Sequence, residues 1–132
     1  MHRSRLIGVI VDCQRDDFAR GVGFWAGALG ATATQEPNGS RFVRLGGVRG
    51  ALEWLAQPID PAERAFHVDF ETDDLEAEVR RLEALGATRK KLVRGVHWVM
   101  TAPTGHELCV LPVQSPDWPA GAMTWTQSGE KR

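Results

Sequence analysis

This sequence has few cysteines, almost no net charge and no long apolar run, and each shortage excludes a class of protein. Two cysteines, Cys13 and Cys109, are too few for a disulfide framework, and both lie in apolar segments typical of buried thiols. A net charge of −1 gives no electrostatic reason to expect a nucleic-acid partner. No apolar run approaches the roughly 20 residues that span a bilayer, and the stretch 6–11 is too short for a signal peptide. We therefore expect a cytoplasmic protein that binds neither nucleic acid nor membrane.

What the sequence does contain is a repeat. Residues 10–31 read IVDCQRDDFARGVGFWAGALGA, and residues 67–87 read HVDFETDDLEAEVRRLEALGA. Further on, EWLAQP at 53–58 aligns with ELCVLP at 107–112. Matched landmarks in the same order indicate a duplicated structural unit. At 132 residues, the chain has the length of one domain made from both copies.

Each copy contains one predicted helix near its start. In the second copy, an apolar stripe at helical spacing predicts a helix that Thr72 or Asp73 caps and that Gly86 ends. This stripe consists of Leu75, Val79, Leu82 and Leu85. The first helix has the matching stripe Phe18, Val22, Trp25 and Leu29, followed by Gly30.

The remaining apolar segments predict strands. They cover residues 5–13, 41–45, 50–57, 66–71, 88–93, 97–101 and 106–112. Turns are predicted at 37–40 and 102–105, and a linker at 58–64. The two copies then span about 5–58 and about 66–112, and they are followed by a tail, 113–132, that we expect to fray from Ser128 onward.

Alternation along the strands separates an apolar face, which the helices cover, from a polar face. The apolar face carries Val9, Val11, Cys13, Leu52, Trp54, Val68, Phe70, Leu108 and Val110. The opposite face carries Ile10, Asp12, Glu53, His67, Asp69, Glu107 and Cys109. A polar set of this size is unusual in strands that must close a small domain, so we expect it to line a ligand site.

The second copy carries motifs of a known superfamily. They are HVDF at 67–70, Asp74-Leu75, Arg81-Leu82, LGA at 85–87, Trp98, Pro103, Gly105 and ELCV at 107–110. In these residues the chain resembles the glyoxalase/bleomycin-resistance/extradiol-dioxygenase (vicinal oxygen chelate) superfamily, and its glyoxalase-like subfamily in particular. The resemblance implies an α+β fold, in which two tandem βαβββ units form a curved mixed sheet around a concave pocket. It also implies a homodimer.

The same resemblance implies where a metal would bind. Metal-using members place one ligand on the first strand and one on the last strand of each unit, which corresponds here to Ile10, Glu53, His67 and Glu107. A histidine with two carboxylates suits Zn, Ni, Mn or Fe and leaves positions open for a substrate. Glu53 and Glu107 are then also the candidate catalytic residues, while the apolar Ile10 makes the site degenerate.

A metal-free pocket is the alternative. His67 would then be a core histidine hydrogen-bonded to Asp69 or Glu53, and the glutamates would pair with Arg41 or Arg44. In both cases the residues predicted to contact a small-molecule ligand are Ile10, Asp12, Phe42, Asp69, His97 and Trp98.

Three functions are compatible with these residues. The first is a protein that binds or sequesters a small, partly apolar molecule without turnover, which the missing ligand at Ile10 favours. The second is a divalent-metal-dependent lyase, isomerase or dioxygenase that acts on a vicinal-oxygen substrate, with a glutamate as base. The third is a non-catalytic dimeric interaction module.

Overall fold

Two copies of one βαβββ order make up the structure, a computed structural model that describes residues 1–48, 50–60 and 66–132. The first copy comprises β1 (His2–Gln14), a 3-10 turn (Arg15–Asp17), α1 (Phe18–Leu29), β2 (Thr32–Gln35), β3 (Val43–Gly46) and β4 (Glu53–Ile59). The second comprises β5 (Phe66–Thr72), α2 (Leu75–Ala84), β6 (Thr88–Val93), β7 (His97–Thr101) and β8 (Glu107–Pro112), and β9 (Met123–Trp125) follows. The predicted α+β class is therefore confirmed. Most of the predicted linker, from residue 61 on, lies outside the described residues.

Two strands have no counterpart among the predicted ones. All four residues of β2 are exposed and read TATQ, so this strand has no buried apolar face to give a pattern of alternation. β9 is only three residues long. Both strands depend on pairing with a partner rather than on their own sequence: β2 pairs with β3, and β9 pairs with the start of β1.

The chain divides into two compact units, Gly8–His67 and a second unit of Met1–Ile7 with Val68–Arg132. β1 and β5 run through the division as continuous strands. In the unit Gly8–His67 the strands follow the order β2-β3-β4-β1, with β1 and β4 parallel and the other pairs antiparallel. The predicted turn at 37–40 lies in the connection from β2 to β3, and its Asn38 and Gly39 both have positive φ, which helps the chain to reverse direction.

In the second unit the strands follow the order β5-β8-β7-β6, and α2 covers one face of them. The buried core there consists of Val79, Ala87, Met100, Leu108 and Val110, with Val68, Phe70, Leu75, Leu82 and Trp98 packed against it. The apolar residues predicted to face the helix in β5 and β8 are all in this cluster. The predicted division of these strands into a helix-covered face and an opposite face is thus confirmed.

The start of α2 differs from its predicted start by one residue. Asp74 is the N-cap, and its carboxylate accepts a hydrogen bond from the backbone N–H of Ala77 at 3.0 Å. Thr72 and Asp73, which the sequence favoured, instead bind Arg3. The Thr72 hydroxyl donates to the carbonyl oxygen of Arg3 at 2.8 Å, and the Asp73 carboxylate accepts from the backbone N–H of Arg3 at 2.7 Å. The two predicted caps are therefore engaged with a residue distant in sequence and do not cap the helix.

The tail is ordered by contacts with the N-terminal strand, and the expectation that it frays from Ser128 is wrong. β9 pairs with residues 2–4 of β1, and Trp125 Nε1 donates to Ser4 Oγ at 2.9 Å. Beyond β9 the chain turns back, since the backbone N–H of Thr126 donates to the carbonyl of Glu130 at 2.8 Å. Hydrogen bonds of this kind hold residues that their sequence alone leaves without structure.

The described helices, α1 and α2, have neither the length nor the apolar run to cross a membrane.

Candidate functional site

The register of β1 and β4 places polar and apolar residues side by side on one face of the unit Gly8–His67. It pairs Gly8 with Glu53, Ile10 with Leu55, and Asp12 with Gln57. These six residues, with His67, are called the β1–β4 face below. Helix α1 lies on the other side, where a Cβ built on its Gly21 would be only 3.0 Å from the sulfur of Cys13.

A chain of three buried polar side chains ends this face. Gln57 Nε2 donates to Asp12 Oδ1 at 2.6 Å, and His67 Nδ1 lies 2.8 Å from Asp12 Oδ2. The Asp12 side chain has no exposed surface, and that of His67 is 7% exposed. A buried carboxylate is costly unless hydrogen bonds satisfy it, and here both oxygens have a partner. Asp12, which the sequence offered as a ligand contact, is thus a hydrogen-bond partner of His67.

Glu53 has the arginine partner that the metal-free alternative predicted. Arg44 Nη1 lies 3.6 Å from Glu53 Oε1, and the same guanidinium binds Glu36 through Nε at 2.6 Å. About 40% of the Glu53 side chain is exposed, so this ion pair is well solvated and weak. Glu53 can therefore leave it at little cost.

The position beside Glu53 offers no metal ligand. Gly8 is its register partner in β1, and a Cβ added to Gly8 would lie 3.3 Å from the Glu53 carbonyl oxygen. Ile10 pairs instead with Leu55 and is buried. In a parallel pair of strands a shift of two residues moves a side chain by roughly 6.6 Å, too far for a shared ligand position.

In the second unit, the face opposite α2 also carries titratable residues. Cys109 of β8 is the register partner of Asp69 in β5. Glu107, at the start of β8, is ion-paired with Lys90, which lies at an irregularity of the β6–β7 register between Arg89 and Lys91. A bulge of this kind turns one side chain out of the regular alternation, and here that side chain reaches Glu107.

His67, Asp69 and Cys109 could together hold a metal ion. His67 and Asp69 are two residues apart in β5 and so lie on one face of that strand. The bond from Nδ1 of His67 to Asp12 fits a metal-ligating histidine, whose second nitrogen is usually bound to a carboxylate or a carbonyl. This combination of nitrogen, oxygen and sulfur ligands suits Zn or Fe. Only His67 among them belongs to the ligand set that the family resemblance implied.

Trp98 does not lie where the sequence placed it. It was predicted to contact a ligand, but it packs against the core beneath α2, and the Arg89 guanidinium lies 5.0 Å from its ring centroid. Because side chains alternate along β7, His97 then lies on the face opposite α2. Of these two neighbours, His97 is thus the one on the face that the sequence predicts to line a ligand site.

Phe42 lies in the turn before β3 and is half-buried. Its carbonyl oxygen accepts hydrogen bonds from the backbone of Glu36 and from Gln35 Nε2, and the Arg41 guanidinium lies 5.8 Å from its ring centroid. These contacts stabilise the β2–β3 hairpin, so Phe42 has a structural task whether or not it meets a ligand.

An open groove of about 570 Å³ lies on the other side of the unit Gly8–His67, against α1. Cys13, Arg20, Phe24 and Trp25 are among its lining residues. Burial, and then the charge of Asp12, raise the pKa of the Cys13 thiol above its ordinary value. The thiolate form is therefore disfavoured, and Cys13 is a poor nucleophile.

Gln57 belongs to the candidate site, and sequence reasoning missed it. It was placed in a predicted strand but was not assigned to the polar face. Alternation from Glu53 through Leu55 puts Gln57 on the face of Glu53, so the signal was present. Its bond to Asp12 could not be foreseen, because the pairing of β1 with β4 joins residues 45 positions apart.

Comparison with known proteins gives the family. The family model described as "glyoxalase-like domain" matches residues 8–111 of this chain. No curated protein matches the sequence.

Several solved structures share the fold at low identity. A glyoxalase/bleomycin resistance protein/dioxygenase superfamily member from Vibrio splendidus 12B01 has 16% identity and a TM-score of 0.54, over 83% of this chain and 99% of that chain. A hypothetical protein from Bacillus halodurans C-125 has 11% identity and a TM-score of 0.60, over 85% and 96%. Methylmalonyl-CoA epimerase from Streptomyces coelicolor, in complex with 2-nitronate-propionyl-CoA, has 15% identity and a TM-score of 0.52, over 85% and 98%. Likeness at this level shows the fold alone, whereas the family match covers most of the sequence. The chain belongs to the glyoxalase-like domain family.

Proposed function

We propose that this protein binds a small, partly apolar molecule at the β1–β4 face, and that its family metal site is degenerate. The observation that supports this is the buried chain of Gln57, Asp12 and His67. Gln57 Oε1 is buried and has no hydrogen-bond partner among the described residues. A group left in that state destabilises a fold by about 1–3 kcal/mol. Buried polar groups that stability does not explain are typical of binding and catalytic sites.

The residues that surround Glu53 indicate that the family metal site is degenerate. The neighbour of Glu53 in β1 is a glycine, Ile10 is apolar, and Glu53 itself is paired with Arg44. A divalent ion at this point would have a single carboxylate ligand, with a glycine where a second ligand would be needed. Leu55, which is half-buried beside Ile10, instead offers an apolar contact between Glu53 and Asp12, which suits the hydrocarbon part of a ligand.

A metal-dependent lyase, isomerase or dioxygenase is the second candidate, and one observation favours it. His67, Asp69 and Cys109 provide a ligand set that differs from the family positions. A divalent ion bound there would polarise an oxygen of the substrate. His67, Asp69 and Cys109 would hold the ion, and Asp12 would orient His67. The Streptomyces coelicolor enzyme of this fold is an epimerase.

Metal content separates the two candidates. We would purify the protein without chelator, expose it to Zn, Ni, Mn and Fe(II) in turn, and measure metal per chain by mass spectrometry. His67→Ala is the test variant and His106→Ala the control, since His106 is an exposed turn residue. The proposal expects no stoichiometric metal in any of the three proteins. About one ion per chain, retained in His106→Ala and lost in His67→Ala, would contradict it and favour the second candidate.

Ligand binding tests the proposal directly. We would measure the melting temperature of the protein with a panel of partly apolar small molecules that includes bleomycin. A ligand that binds the folded state raises the melting temperature, by an amount that grows with its concentration. We expect at least one compound to stabilise the native protein and His106→Ala but not Leu55→Asp, which places a charge at the half-buried apolar position of this face. If every compound that stabilises the native protein also stabilises Leu55→Asp, the ligand binds elsewhere.

A further inference from the structure

His67 meets Asp12 through one particular ring nitrogen. The Nδ1 atom lies 2.8 Å from Asp12 Oδ2, and the other carboxylate oxygen lies 2.6 Å from Gln57 Nε2. All three residues are buried, and all three belong to the unit Gly8–His67. Water therefore cannot readily take the place of either bond.

The chemistry of the three groups fixes the direction of both bonds. An amide Nε2 can only donate, so Asp12 Oδ1 must accept from Gln57. An ionised carboxylate accepts at both oxygens, so the hydrogen between Asp12 and His67 lies on Nδ1. The neutral imidazole ring has one hydrogen to place, and a carboxylate partner at one nitrogen selects the tautomer.

We infer that Asp12 is a positioning residue that holds His67 as its Nδ1–H tautomer and so assigns Nε2 to every other contact of the ring. This inference deepens the proposed function and rests on it, because it takes His67 to be part of the ligand site. Asp12 itself does not touch the ligand. Gln57 holds the Asp12 carboxylate in place by donating a hydrogen bond to Oδ1, the oxygen that does not contact His67.

This tautomer also determines which kind of ligand group can bind to His67. Nε2 of an Nδ1–H imidazole carries a lone pair, so it accepts a hydrogen bond or binds a cation. The complementary ligand group is therefore an O–H or N–H donor, or a divalent ion. An anionic oxygen, which needs a donor, would be repelled by the lone pair. Gln57 Oε1, which is also an acceptor, is held in place by the same carboxylate.

Nitrogen NMR of the protein labelled with ¹⁵N-histidine reads the tautomer directly, without ligand or metal. At pH 7.5 we expect His67 to show a protonated Nδ1 and an unprotonated Nε2. In Asp12→Ala this preference should disappear, and the two nitrogens should approach the mixed signals of a free imidazole. His106 in the same spectrum is the internal reference and should not change. Asp60→Asn, which removes the exposed carboxylate partner of Arg15, is the matched variant and should leave His67 unchanged.

Two results would overturn the inference. One is a native His67 that is protonated at Nε2, alone or together with Nδ1. The other is an unchanged His67 signal in Asp12→Ala. If Asp12→Ala does not fold, the spectrum of the native protein alone tests the His67 tautomer. If no compound of the ligand panel binds, the proposed function is contradicted, but the tautomer of His67 is not. Failure of the proposed function can therefore be distinguished from failure of this inference.

Discussion

Two glutamates, Glu71 and Glu78, are fully buried in the second unit, and each has at least one partner distant in sequence. Glu78 Oε2 lies 2.6 Å from His2 Nε2, and Arg81 binds both carboxylate oxygens. Glu71 binds Arg5 and accepts from the backbone of Gln114 and Ser115. For both acids burial raises the pKa, but these hydrogen bonds outweigh it, and the pKa lies below its ordinary value.

The lowered pKa of Glu78 predicts how stability changes with pH. Since the folded pKa is below that of the unfolded chain, about 4.3, the stabilisation is complete above that value and is lost as the pH falls through the folded pKa. In Glu78→Gln we expect the free energy of unfolding to depend less on pH between 5 and 2, and to be lower at pH 7. Removing one member of a buried pair destabilises by about 3–5 kcal/mol.

Urea unfolding at several pH values measures this effect. Glu130→Gln, at an exposed position of the tail, is the control and should follow the native protein. An acid dependence in Glu78→Gln as steep as in the native protein would assign the effect to other carboxylates.

The two helices occupy matching positions in the two copies but differ in capping and in burial. α2 buries Val79 and Glu78 and has an N-cap with a side-chain hydrogen bond. α1 has no side-chain cap, and none of its residues, all of which the structure describes, is fully buried. Trp25, a member of the predicted apolar stripe, is half-buried and packs edge-to-face with Phe24 and Phe66. The apolar stripe predicted the helix correctly but not the depth of its burial, which depends on the tertiary structure.

Two glycines predict opposite effects of the same substitution. Gly27 lies inside α1, and a Cβ there would meet no atom of the described residues within 4 Å. Gly27→Ala should stabilise by about 0.5–1 kcal/mol, because alanine is the better helix former. Gly86 follows α2 with φ +109°, and a Cβ there would be 2.9 Å from Pro103 Cγ. Gly86→Ala should destabilise by more than about 1 kcal/mol, because strain and overlap add.

Thermal or urea unfolding of both variants tests this pair, with the native protein alongside. If Gly27→Ala destabilises, an alanine at this position must meet a contact that the described residues do not include. If Gly86→Ala is neutral, the C-terminus of α2 adapts more easily than its φ indicates.

At the scale of the whole molecule, the first and last strands of the chain belong to one unit. Residues 2–4 of β1 pair with β9, and the Arg81 guanidinium lies 3.8 Å from the centroid of the Trp125 ring. The same arginine binds Glu78, which binds His2. Strand, helix and tail are thus joined through one buried set of polar contacts, and the tail is part of the fold rather than an appendage.

Substitution of Trp125 should therefore destabilise this unit. Trp125→Phe keeps a ring beneath Arg81 but removes the hydrogen bond to Ser4, and we expect a loss of about 1 kcal/mol. Trp125→Ala also removes the ring, and we expect a loss of about 3–5 kcal/mol. Urea unfolding gives both values, and Trp118→Phe is a control in another part of the tail. A tail without a structural role would leave Trp125→Ala as stable as the native protein.

The sequence by itself determined the repeat, the order of its predicted elements and the two faces of its strands. These features are local: an apolar stripe at helical spacing, alternation along a strand, and turn residues such as Asn38 and Gly39 with positive φ. Asp12, Glu53 and His67 could therefore be assigned to the polar face from neighbouring residues alone. The sequence also indicated that Ile10 leaves the family metal site incomplete.

Only the tertiary structure decided which of these residues meet. The register of β1 with β4 puts Gly8, not Ile10, beside Glu53, and brings Gln57 to Asp12. Parallel strands are joined by long crossovers rather than by tight turns, so no local signal sets their register. Non-local packing sets it instead. The contact of His67 with Asp12 likewise joins residues 55 positions apart, so the partner of His67, and with it the ring nitrogen that is bonded, lay beyond the reach of the sequence pattern.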